Sequence, residues 1–228
     1  MRNEEYPSSV SVATVMKVVI AVVAVIVAVV ASFMVFENLS AKEIMVVQSP
    51  ISGKLTWHTS PGVKLQGFGT VTKYPKREQF WFSAKGDQGS KENESIRCRF
   101  NDNGHAYISG SISWEMPLDE LHLIAIHTKY NNSHAVEQQL VRTVIEKSVY
   151  MTGPLMSSKE SAAEKRTDLL RFIEEQVQRG VYLTETIQEK QPDAMTGQMK
   201  TVSVVRLRND TAGQILRAES SPLEVYGI

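Results

Sequence analysis

Residues 105–124 read HAYISGSISWEMPLDELHLI, and the period of the apolar residues changes inside this stretch. Ala106, Ile108, Gly110, Ile112 and Trp114 recur at every second position, the pattern of a strand covered on one face. Beyond Pro117 and Asp119 the repeat lengthens. Leu118, Leu121, Ile124 and Ala125 fall at spacings of three and four, which predicts a helix carrying that stripe. Upstream, Ile96, Cys98 and Phe100 alternate in the same way. Asn103-Gly104 supplies the turn of a hairpin whose other face carries Arg97, Arg99, Tyr107, Ser109, Ser111 and Ser113. Such a sheet buries one side only.

Further upstream, short apolar runs are broken by turn formers. EIMVVQ is followed by Pro50 and Gly53, KLTWHT by Pro61 and Gly62, and VKLQGFGTVTKY by Pro75, which describes a series of short strands. Phe80, Trp81 and Phe82 read either as a buried strand or as an aromatic wedge at a membrane surface. Residues 85–94 are polar, with two glycines, and read as a loop.

Downstream the pattern is helical. A helix starts near Ser133 and shows Val136, Leu140, Val144 and Val149 on one stripe until Gly153-Pro154 stops it. The next opens on a capping box, Ser157 with Glu160, and runs through Leu169, Leu170, Phe172, Ile173 and Val177 to Gly180. From Val181 the period shortens again in VYLTETIQ and KTVSVVRLR, separated by Pro192, Asp193 and Gly197. This predicts a long hairpin ending before Asn209-Asp210, with a short third strand over 213–217. Its exposed threonines and glutamines suit either an edge open to a neighbouring subunit or a solvated surface hairpin. Strands followed by helices define an α+β domain.

Near the amino terminus, residues 18–36 read VVIAVVAVIVAVVASFMVF, nineteen positions without a charge. At 1.5 Å rise per residue the run makes a helix about 29 Å long, which matches a hydrocarbon core of roughly 30 Å. An anchor over 10–36 is expected, with Val18, Ile20, Val25, Ile26, Val30, Phe33 and Phe36 facing lipid. A cleaved signal peptide is the competitor, but its apolar region is shorter and ends in a small-x-small site that Ala28, Ala31 and Ser32 reproduce poorly. Arg2 and Lys17 precede the run and Lys42 follows it. Positive-inside counting therefore expects a cytoplasmic amino terminus over 1–9 and an extracytoplasmic bulk, as a single-pass protein of the cell inner (plasma) membrane.

The 25 acidic and 25 basic residues cancel. There is no basic excess to bind nucleic acid. Cys98 is the sole cysteine and lies on the apolar face of its strand, which predicts a packed thiol and leaves no internal disulfide. Sequons occur at Asn38, Asn93, Asn131 and Asn209.

Chemistry-bearing constellations are few. His122 and His127 are five apart, about 500° of helical rotation, so they do not share a face as a metal pair would. His58, His105 and His134 are scattered. No GxSxG, phosphate-cradling glycine loop or HExxH occurs. Ser157 or Ser158 with Lys159 is the one arrangement resembling a serine-lysine hydrolase, although adjacent residues at a helix start point apart. The expectation is a protein without cofactor or metal and without enzymatic activity.

The order of these pieces resembles the SPFH, or band 7, superfamily of stomatin, prohibitin and flotillin, across 40–228. GKLTWHTSPGVKL at 53–65 is similar to the family's Pro-Gly entry, and HAYISGSISWEMPLDELHLI to its strand running into a helix. The segment 136–177 is similar to its two helices, and the ending SPLEVYGI to its "GI" before a last strand. The resemblance implies an SPFH domain over 40–180, an inserted hairpin over 181–217 as in a prohibitin-like bacterial or phage subgroup, and the start of a return to the domain over 218–228. Family members continue into a coiled coil. No heptad run occurs in this sequence, so either it is a fragment, the favoured expectation, or the protein has lost that arm.

The function implied is a membrane scaffold. Copies would form a homo-oligomeric ring or cage in the lipid bilayer, organising a microdomain and holding a membrane protease or another integral membrane protein. Glu160, Lys165, Arg166, Arg171, Glu174 and Glu175 on the charged helix, with Thr184 and Val204 on the hairpin, are the expected contacts between copies. The alternatives are the hydrolase already described and a monomeric binding module beside a transporter.

Overall fold

The computed structural model describes residues 11–89, 91–192 and 197–228. The expected tail over 1–9, Val10 and Asp193 lie outside the described residues. The chain is mixed α+β, an apolar helix followed by small antiparallel sheets and helices. It divides into two units, one ending at Thr72 and the other running from Lys73 to Ile228.

In the first unit, helix α1 (Val12–Val35) spans 24 residues, about 36 Å at 1.5 Å per residue. Ser32, the one hydroxyl within the charge-free run 18–36, is satisfied internally, because its Oγ donates to the Val29 carbonyl at 2.6 Å. Phe36 lies outside the helix, contrary to the expected anchor limit. Its dihedrals are extended (φ −121°, ψ 136°), and it opens strand β1 (Phe36–Leu39), a strand the apolar run had concealed. Strands β2 (Glu43–Gln48), β3 (Leu55–His58) and β4 (Gly62–Leu65) follow, and β5 (Thr70–Pro75) begins in this unit and continues past Thr72 into the second. β1 pairs antiparallel with β4, Phe36 opposite Leu65, and β2 is central in the order β3-β2-β5. The run VKLQGFGTVTKY thus makes two strands. At the break between them, a side chain on Gly69 would lie 2.7 Å from the Gln48 carbonyl oxygen. Leu39, Met45 and Val47 form the core, with Val71 packed against them.

In the second unit, β6 (Arg77–Phe82) pairs with β9 (Gly110–Glu115), and β7 (Ile96–Arg99) pairs with β8 (His105–Ile108), both antiparallel. The alternation along 106–114 persists, yet the return strand changes partner at Ser109, so the expected single hairpin is divided between two sheets. Phe80 and Phe82 are buried, which makes Phe80-Trp81-Phe82 a core strand. Cys98 is also buried. Its thiol lies 3.7 Å from the Val149 carbonyl, and burial raises its pKa to about 11. The turn between β7 and β8 occupies 100–104, with Phe100 N–H donating to the Gly104 carbonyl and Asn103 at φ 63°.

Helix α2 (Glu120–Tyr130) is capped by Asp119, which accepts the His122 N–H. It turns its other side inward. Leu123, Ile126, His127 and Tyr130 are buried, while Leu118, Leu121, Ile124 and Ala125 face solvent. Both stripes satisfy three-four spacing, so periodicity alone does not choose between them. Partners choose instead. Tyr74 Oη lies 2.7 Å from His127 Nδ1, and Tyr130 meets Tyr226 edge-on with ring centroids 5.8 Å apart.

Asn132 caps a long helix made of α3 (Ser133–Ala135), one turn of π-helix (Val136–Val141) and α4 (Arg142–Thr152). The expected stripe is buried, joined by Val141, Ile145, Ser148 and Thr152. Helix α5 (Ser158–Ala162) carries the expected capping box. The charged helix is not continuous, however. Ala163 leaves helical dihedrals (φ −129°, ψ −78°), and α6 (Arg166–Arg179) starts afresh. Glu160 closes α5 upon itself, bonding back to Ser157 and forward to Lys165 at 2.6 Å.

Strands β10 (Thr184–Pro192) and β11 (Met199–Leu207) form a two-stranded ribbon with Thr184 opposite Leu207 and Pro192 opposite Met199. Residues 213–217 contribute isolated bridges, Tyr182 to Arg217 and Asn209 to Ile215, rather than the expected third strand. Helix α7 (Pro222–Val225) ends the described chain, capped by Ser221.

Candidate interaction surfaces

Three surfaces merit a functional reading. The first is α1. The segment Val12–Phe33 has the length and apolarity to cross a bilayer, and none of its most apolar window is buried within the protein. Val18, Ile20, Val25, Ile26, Val30 and Phe33 are each more than half exposed. A signal sequence near an amino terminus has the same appearance.

The second is an apolar cleft in the second unit, with a volume of about 350 Å³. Ile108, Gly110 and Ile112 form one side with Phe82. Ile145 and Val149 of α4 and Leu170, Ile173 and Val177 of α6 form the other, with Glu174 at the rim. Gly110 is required there, because a Cβ would lie 2.8 Å from the Phe82 ring.

The third is the β10–β11 ribbon. Its register places Glu185, Ile187 and Glu189 of β10 opposite Arg206, Val204 and Val202 of β11 on one face. Arg206 forms an ion pair with Glu189. Ile187, Val202 and Val204 are only partly covered, and so is Thr184.

The expected contact residues of the charged helix divide into two groups. Glu160 pairs with Lys165, and this bond, together with the Ser157 N–H and hydroxyl, lowers the Glu160 pKa to about 2. Arg171 pairs with Asp168 at 2.9 Å and stacks over Phe172. Glu175 accepts the Tyr182 hydroxyl at 2.5 Å and lies near Arg217. These four therefore serve the chain's own fold. Arg166 and Glu174 are exposed.

Around Ser157 and Ser158, both hydroxyls donate to carboxylates. Ser157 Oγ donates to Glu160 at 2.9 Å, and Ser158 Oγ donates to Asp102 at 2.5 Å. Asp102 also accepts the Ser158 and Gly104 N–H groups, and these bonds, the Ser158 hydroxyl first, hold its pKa below the usual value. Asp102 thus ties the β7–β8 turn to the start of α5, a role its position in a turn did not announce. Lys159 is exposed. Among the described residues, no group of three His, Cys, Asp or Glu side chains is placed to hold a metal ion. His122 is engaged by Asp119 at 2.7 Å. Burial lowers the His127 pKa and raises that of Tyr74, so the Tyr74–His127 pair stays neutral near pH 7.

Sequence reasoning missed the buried polar network between α4 and α6. Gln176 donates to Thr152 Oγ1 at 2.7 Å and accepts the Tyr182 N–H at 3.1 Å. Thr152 in turn donates to the Ser148 carbonyl. The only signal was a glutamine at three-four spacing with Phe172 and Ile173. Comparison with protein-family models and with curated protein sequences returns no match.

Proposed function

We propose that the chain is a single-pass membrane scaffold of the SPFH, or band 7, type, whose domain self-associates into a ring or cage around a membrane patch. The observation that carries this reading is α1, a 24-residue apolar helix whose exposed side chains require lipid or another apolar partner. Retention of α1 as an anchor confines every copy to two dimensions. Confinement raises the effective concentration, so that weak lateral contacts suffice for assembly. In this reading the amino terminus is cytoplasmic, the bulk lies outside the cytoplasm, and a membrane protease or another integral membrane protein is the client held by the assembly.

A hydrolase using Ser157 or Ser158 with Lys159 ranks below it, because both hydroxyls are engaged by carboxylates that cap or brace α5. The deciding experiment is extraction of the full chain from membranes in mild detergent, followed by mass measurement. A particle of many copies supports the scaffold. A single copy, or mature material that begins beyond α1 and stays in the aqueous fraction, overturns it. Protease protection in sealed vesicles reads the orientation.

A further inference from the structure

We infer that copies join edge to edge through the β10–β11 ribbon, the outer edge of β11 in one copy pairing with the outer edge of β10 in the next. The inference rests on the reading of the chain as a membrane-anchored, self-associating protein, and it names the contact.

The ribbon is nine residue pairs long and two strands wide, with neither outer edge occupied by another strand among the described residues. A two-stranded ribbon of this length is marginal alone, and open edges are templates for further strands. Its side-chain pattern selects which strand fits. On one face β10 presents Glu185, Ile187 and Glu189, while β11 presents Arg206, Val204 and Val202, and Lys200 extends the basic strand. Lys190 lies on the other face. Arg206 already reaches Glu189 across the inner edge.

A β10 strand from a second copy, laid antiparallel against the outer edge of β11, meets the same complement that β11 offers its own β10. Ile187 falls beside Val204 and Glu185 beside Arg206, with Glu189 diagonal to Lys200. Two β10 edges would instead oppose Glu185 and Glu189 to their counterparts, and two β11 edges would oppose Arg206 and Lys200. Charge therefore favours unlike edges. A contact between unlike edges is heterologous, so it repeats from copy to copy until the assembly closes into a ring or extends as a belt. It leaves every copy in the same orientation, as a shared membrane demands.

The test uses the full chain in membranes, with Cys98→Ala removing the native thiol. Two differently tagged chains, one carrying Ile187→Cys and the other Val204→Cys, are co-expressed and mildly oxidised. The expected result is a disulfide between the two tags, with neither variant forming a like pair when expressed alone. A 187–187 or 204–204 adduct, an adduct with a different protein, or no adduct while the many-copy particle persists overturns the ribbon contact and leaves the scaffold reading standing. A chain extracted as a single copy overturns both.

Charge reversal supplies a second measurement that needs no cysteine. Glu185→Lys with Glu189→Lys, or Lys200→Glu with Arg206→Glu, should weaken assembly on the order of tenfold. All four changes in one chain should restore it. Unchanged assembly in both double variants, or failure of the quadruple variant to recover, counts against the contact.

Discussion

The Gln176 side chain accepts the backbone N–H of Tyr182 at 3.1 Å while its own amide donates to Thr152 Oγ1 at 2.7 Å. One carboxamide, 1% exposed, thus joins α4, α6 and the segment leading into the β10–β11 ribbon. Removing a buried partner leaves the others unsatisfied, which costs more than the bond itself contributes.

Gln176→Leu should accordingly destabilise the chain by about 1–3 kcal/mol, since the Tyr182 N–H loses its acceptor and Thr152 Oγ1 loses the amide that donates to it. Denaturant unfolding of the full chain in detergent checks this, and an unchanged midpoint would contradict the network.

Gly153 tests the packing of α4 against β7. A Cβ there would sit 2.3 Å from the Arg99 carbonyl oxygen and 2.6 Å from Cys98 Sγ, so Gly153→Ala should cost about 1–3 kcal/mol through overpacking. At Gly86 the nearest atom would be 3.5 Å away and φ is not positive. Gly86→Ala should stay within about 0.5 kcal/mol of the parent.

The orientation of α2 yields a paired prediction. Leu123 is completely buried and Leu121 is 77% exposed. Leu123→Ala should cost about 2–5 kcal/mol, and Leu121→Ala about 0.5 kcal/mol or less. The reverse ranking would restore the stripe suggested by sequence.

Glu160 makes stability depend on pH in a defined window. Its carboxyl titrates near 2 in the folded chain, against 4.5 ordinarily. A depressed pKa means that the folded state holds the proton less tightly. The contribution is therefore complete above about pH 4.5 and is lost as pH falls toward 2. Unfolding midpoints measured across this window should show a slope that Glu160→Gln reduces, and an identical slope would exclude the capping box as its source.

Much of the local structure was legible because its causes are local. Alternation at 96–100 and 106–114 marked strands, Ser157 with Glu160 marked a helix start, and the uninterrupted run from Val18 marked a helix suited to a bilayer. Each signal involves residues a few positions apart, where side-chain geometry and backbone hydrogen bonding leave little choice.

Where two local solutions were equally good, long-range contacts made the selection. The stripes of α2 have the same period, and His127 faces inward because Tyr74, 53 positions away, supplies its hydrogen bond. Phe36 is apolar enough to continue a helix, yet pairing with Leu65 draws it into a strand. Glu175 has the look of a solvated charge until Tyr182 and Arg217 reach it, and Ser109 is the point where one strand exchanges partners. Residue order carries the propensities and the greasy segment. Which face is covered, which charge is already paired and which strand edge stays open depend on groups distant along the chain, because burial and hydrogen-bond completion are satisfied in three dimensions.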